Sequence, residues 1–163
     1  MSRTKRWIQL AMLSALAILF HMIEAMIPIP LPIPGFKLGL ANIVGLIALY
    51  QFDGKAMLLV NVLRVLIASL LRGIIFGTPF WLSITGVLLS SFLAIWAKKH
   101  TPLSVYGVSM VASVFHCIGQ MIAVTFIYQQ YLMGALLPLL MVLSIPTGIL
   151  IGYLADQVQR RIA

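Results

Sequence analysis

Six apolar runs, each near the length of a bilayer crossing, follow one another along this chain with only short interruptions. A helix needs about 20 apolar residues to cross a hydrocarbon core of roughly 30 Å. The runs fall at about 7–27, 38–52, 55–75, 79–97, 104–128 and 132–156. Turn signals separate them: a proline ladder from Pro28 to Pro34, then Asp53-Gly54, Gly77-Thr78-Pro79, Lys98 to Pro102, and Gln129-Gln130-Tyr131. Only 9% of the residues are charged and 62% are hydrophobic, whereas a soluble domain carries about 25% charged residues. A water-facing surface cannot be built from this inventory, so the solvent is lipid. The fold class expected is all-α: an integral membrane bundle of six transmembrane helices forming one domain over residues 1–163. The second run is short, and five spans with a re-entrant segment is the alternative. The first run follows a basic leader but lacks an Ala-x-Ala cleavage pattern, so it reads as a retained helix.

Charge orients the bundle. With an inward N-terminus, one side collects Arg3, Lys5, Arg6, Lys55, Lys98, Lys99, Arg160 and Arg161, and the other only Lys37 and Arg72. Such a bias places both termini in the cytoplasm. The formal charge of +8 is therefore an orientation signal. Its scatter over four patches argues against a nucleic-acid-binding face. The single Cys117 excludes a disulfide within the chain.

Ionisable groups are costly in lipid and mark function or mutual pairing. Here they are His21, Glu24, Arg64, Arg72 and His116, joined by Asn42, Asn61 and Gln120. By the expected topology all lie in the middle or outer half of the membrane. Asn61, Arg64, Ala68 and Arg72 follow steps of three, four and four and share one helical face. His21 with Glu24, and His116 with Gln120, form two further stripes. Converging, they make an outward-facing pocket with apolar walls for a ligand that carries an anionic or strongly polar part. Its binding residues are Glu24, Lys37, Asn42, Asn61, Arg64, Arg72, His116 and Gln120.

Plainer roles stand beside this one. Arg64 can pair with Glu24 as a structural bridge, Arg72 can snorkel to headgroups, and Asn42 can join helices through its amide. His21 reads as a packed structural histidine. Small residues mark where helices approach: Ala11-x-x-x-Ala15, Gly39 with Gly45, Gly86 with Ser90, and Gly148 with Gly152. Pro138 and Pro146 threaten the sixth helix unless a neighbour satisfies the freed carbonyls. Enzyme chemistry is poorly served. Three acidic residues form neither a paired-carboxylate site nor an aspartate cluster for magnesium. The nine methionines form no metal-binding cluster, a Walker loop is missing, and neither cofactor nor metal is expected.

The run Pro34-Gly-Phe-Lys-Leu-Gly-Leu-Ala-Asn42-Ile resembles a motif of the bacterial Gx transporter family, also called heptaprenyl diphosphate synthase component I. Arg64 to Gly73, Ser83 to Ser90, and Gly107 to Gln120 fit the same family. Cys117 departs from it, standing where asparagine is expected after the histidine. The resemblance implies a subunit similar to the S-components of energy-coupling factor (ECF) transporters, in the bacterial cytoplasmic membrane. Such a subunit captures a small molecule from outside and docks on a coupling subunit and two ATPase subunits. In that family the first helix meets the coupling subunit through Ala-x-x-x-Ala, which Ala11 and Ala15 match. The proline ladder takes the place of the loop that helps close the site. Two functions follow: substrate capture for an ATP-driven importer, or a non-catalytic membrane partner of an isoprenoid or redox enzyme.

Overall fold

The computed structural model describes residues 2–26, 39–129, 134–135 and 137–162. These residues form six helices and, among themselves, no strand. They are α1 (Arg3–Met26), α2 (Leu40–Gln51), α3 (Gly54–Leu71), α4 (Thr78–His100), α5 (Val105–Tyr128) and α6 (Leu137–Ile162). All but α2 are long and apolar enough to cross a membrane. The twelve residues of α2 rise only about 18 Å at 1.5 Å each, short of the hydrocarbon thickness. The proline ladder and Lys37 lie outside the described residues.

Local signals explain the helix ends. Asp53 caps α3, its Oδ1 accepting from the Ala56 N–H at 2.7 Å, and Ser104 caps α5 by accepting from the Gly107 N–H. Pro79 sits in the first turn of α4, where a missing N–H costs nothing. The third helix stops earlier than its apolar run because Gly73 turns left-handed at φ 65°. The Ile74 and Gly73 N–H groups then bond back to the Ser69 and Leu70 carbonyls, closing a Schellman turn. Pro146 is carried inside α6. Beside it the hydroxyls of Ser144 and Thr147 donate to the Met141 and Ser144 carbonyls.

Packing runs α1, α3, α4, α5, α6, α2 and back to α1, with α2 also against α3. The short helix is enclosed: every residue from Ile43 to Leu49 is buried. Its lower half meets Met57, Ala94, Ala97, Val108, Ala112, Ile151 and Ala155 in the main apolar core. Lipid supplies no hydrophobic force between helices, so close contact through small residues holds them together. A Cβ on Gly119 would lie 2.8 Å from the Gly86 Cα, and one on Gly148 2.9 Å from the Met110 Cα. Gly86, Gly148 and Gly152 thus mark the α4–α5 and α5–α6 crossings, as their spacing predicts.

One end of the bundle carries the basic residues. Arg6 pairs with Asp53 at 2.7 Å, Lys98 donates to the Leu49 carbonyl at 2.8 Å, and the Tyr106 hydroxyl bonds Asp156. These contacts bring the start of α1, the α2–α3 turn, the end of α4, the start of α5 and the end of α6 to the same side. The chain is therefore an all-helical, multi-pass membrane bundle whose first and last helices reach the same end.

Candidate functional site

Away from the basic end, the apolar core gives way to a polar cavity. It is lined by His21 and Glu24 of α1, Gly39 and Asn42 at the start of α2, and Arg64 of α3. Ser83 and Val87 of α4, Ser113, His116 and Cys117 of α5, and Ser144, Thr147 and Ile151 of α6 complete it. Apart from Arg64, alone on α3, and Cys117, next to His116, the lining residues of each element recur three or four positions apart, so each helix offers one face. The cavity holds about 30 Å³. A water needs roughly 10–15 Å³ on that measure, so the closed cavity has room for two or three waters and a ligand enters only when the walls part.

The two charges of the cavity are deeply placed. Glu24 is 6% exposed and Arg64 2%. Glu24 accepts a hydrogen bond from the Gly39 N–H, at the mouth of α2, where a helix dipole favours negative charge. Gly39 is needed there for its backbone: its φ is +80°, and a Cβ would also displace the tip of Ile151, whose Cδ1 would stand 2.8 Å away. Arg64 Nη2 donates to Asn42 Oδ1 at 3.1 Å, while Arg64 Nε is buried without a hydrogen-bond partner among the described residues. Arg64 and Glu24 face the same cavity and attract each other across it, but no direct ion pair joins them among the described residues.

Four of the sequence-predicted residues, Glu24, Asn42, Arg64 and His116, come together in this lining. His21, read as structural, joins them. Asn61 lies one turn deeper, 2% exposed, where its Nδ2 donates to Ser91 Oγ at 2.9 Å. Gln120 is buried against Gly86 at the α4–α5 crossing. Arg72 ends α3 as its C-cap and is exposed, and Lys37 is not among the described residues. Ala11 and Ala15 lie exposed on the outer face of α1, beside Trp7, Met12, Leu16, Leu19 and Ile23.

Sequence reasoning missed Ser83, Ser113, Ser144 and Thr147. The three-residue spacing of Ser144 and Thr147 was the available signal, equal to that of His21 and Glu24. Hydroxyls satisfy themselves on their own helix in lipid, so they stand out less than charges. The three acidic residues of the chain are spread apart in role. Glu24 serves the cavity, Asp53 caps α3, and Asp156 holds Tyr106 and Arg160. Among the described residues no group of His, Cys, Asp and Glu is assembled to hold a metal ion.

A family model described as heptaprenyl diphosphate synthase component I matches residues 13–158. The chain belongs to that family. No curated protein and no solved structure is similar enough to count as a match. The match runs from α1 into the last turns of α6, so every residue of the cavity lies inside it. The family description names one component of a synthase, and the apolar helices make this chain a membrane component.

Proposed function

We propose that this protein is the substrate-binding subunit of an ECF-type ATP-driven importer in the bacterial cytoplasmic membrane. The observation that carries this reading is the gathering of buried Glu24, Asn42, Arg64 and His116 around one cavity in the half of the bundle away from the basic end. Basic loops stay in the cytoplasm, so that half opens outward and takes a small polar or amphiphilic ligand from outside. The exposed face of α1 around Ala11 and Ala15 meets a coupling subunit, and two ATPase subunits supply the energy this chain has no motif to extract. The protein is not itself an enzyme.

The family description favours a second reading, in which the chain is a non-catalytic membrane partner of heptaprenyl diphosphate synthase. Affinity purification from the native membrane separates the two. Recovery of a membrane coupling subunit with two ATPases supports import. Recovery of a soluble prenyl synthase in their place supports the partner reading.

A further inference from the structure

Two opposite charges buried in lipid at one cavity, and not joined to each other, pose a chemical question. Charges removed from water are stable only when paired. Glu24 and Arg64 are each more than nine-tenths buried, face one cavity and make no ion pair with each other. Arg64 still has an unused Nε–H. On the α6 wall, Ser144 and Thr147 have committed their hydroxyl protons to backbone carbonyls. Thr147 therefore offers the cavity only lone pairs, while the Ser144 oxygen also meets the Cys117 thiol. Ile151 of the same wall stands against Gly39, whose N–H holds Glu24. The acceptors Glu24 and Thr147 thus ask for donors, and Arg64 asks for an anion.

Resting on the reading of this cavity as a ligand site, we infer that its ligand is a compact zwitterion. A carboxylate of the ligand meets the Arg64 guanidinium, and an ammonium or protonated ring nitrogen meets Glu24. Charge balance decides the class. Among the described lining residues Arg64 and Glu24 supply one formal charge of each sign, and these cancel. A zwitterion keeps the filled site neutral. A lone carboxylate leaves one negative charge buried, and a diphosphate leaves several with a single guanidinium to meet them. The same balance turns the cavity away from prenyl diphosphates.

The test is thermal unfolding of the full chain in lipid nanodiscs with the smallest members of each class at equal ionic strength. The zwitterions are glycine, β-alanine and γ-aminobutyrate; the controls are acetate, methylammonium, pyrophosphate and chloride. At least one zwitterion should raise Tm by about 2–4 °C, beyond acetate and methylammonium together. Arg64→Gln should abolish that response. Glu24→Gln, which leaves a net positive cavity, should shift the preference to acetate. Should either variant fail to fold, the ranking of probes on the wild type still decides. Acetate or pyrophosphate outranking every zwitterion would overturn the ligand class while leaving a ligand site in place. No probe exceeding chloride in any protein would overturn both the class and the site.

Discussion

Arg64 and Asn42 meet at 3.1 Å, the guanidinium Nη2 donating to the amide oxygen. The contact fastens the middle of α3 to the first turn of α2 and aims a buried cation into the polar cavity. Asn42→Leu removes the acceptor and keeps the volume close. The charge then stays buried with one more unsatisfied donor, a loss of roughly 1–3 kcal/mol. Denaturant unfolding in mixed micelles measures it. An unchanged midpoint would mean that Arg64 takes its support elsewhere.

Gly39→Ala tests the mouth of the cavity. Alanine at φ +80° carries the left-handed penalty, and its Cβ also presses on Ile151. A loss of about 1–3 kcal/mol is expected from the backbone alone. Gly73→Ala provides the control, since φ is +65° there but the Cβ meets open space. Gly39→Ala should be the more damaging of the two by Tm.

The helix crossings make a sharper comparison. At Gly119 a Cβ meets Gly86 Cα and the Thr85 carbonyl oxygen at 2.8 Å, both backbone. At Gly54 it meets only side-chain carbons of Ile95, at 2.9–3.0 Å. Gly119→Ala must therefore push α4 from α5, at a cost of about 1–3 kcal/mol, while Gly54→Ala strains one side chain and leaves the backbones in place, so it should cost less. Equal Tm losses would show that α4 and α5 are less closely seated than described.

How much of this was legible beforehand depended on the kind of residue. Helix positions followed from the apolar runs, because lipid leaves few other ways to bury backbone. The end of α3 did not, since Ile74, Ile75 and Phe76 continue the apolar run past the Gly73 turn that stops the helix. Glu24, Asn42, Arg64 and His116 were visible because a charge or amide in lipid requires a reason. Asn61 and Gln120 looked the same by that criterion, yet the structure sets them between helices, against Gly45 and Gly86. Arg72 shares the helical phase of Arg64, but it falls at the C-cap and leaves the stripe. Spacing predicts a face only as long as the helix lasts.

A pH effect is expected at the basic end. The Ala56 N–H, and next the Arg6 guanidinium, hold the Asp53 carboxyl below its ordinary value of 3.8. A depressed folded-state value stabilises above that ordinary value, and the gain is lost as pH falls through the lowered one. Asp53→Ala should cost about 1 kcal/mol at neutral pH, mostly from the lost cap, because the Arg6 pair is half-exposed and contributes little. The gap between wild type and variant should shrink on acidification below the ordinary value. A gap that stays constant with pH would remove Asp53 from this role.

The central claim is that the cavity around Arg64 and Glu24 holds a small molecule taken from outside. Native mass spectrometry of the protein released from its own membrane, beside the Arg64→Gln variant, tests it most directly. A small molecule bound to the wild type at one per chain and missing from the folded variant is the result expected. A wild-type protein that carries nothing, or one whose bound molecule survives loss of the guanidinium, would contradict it.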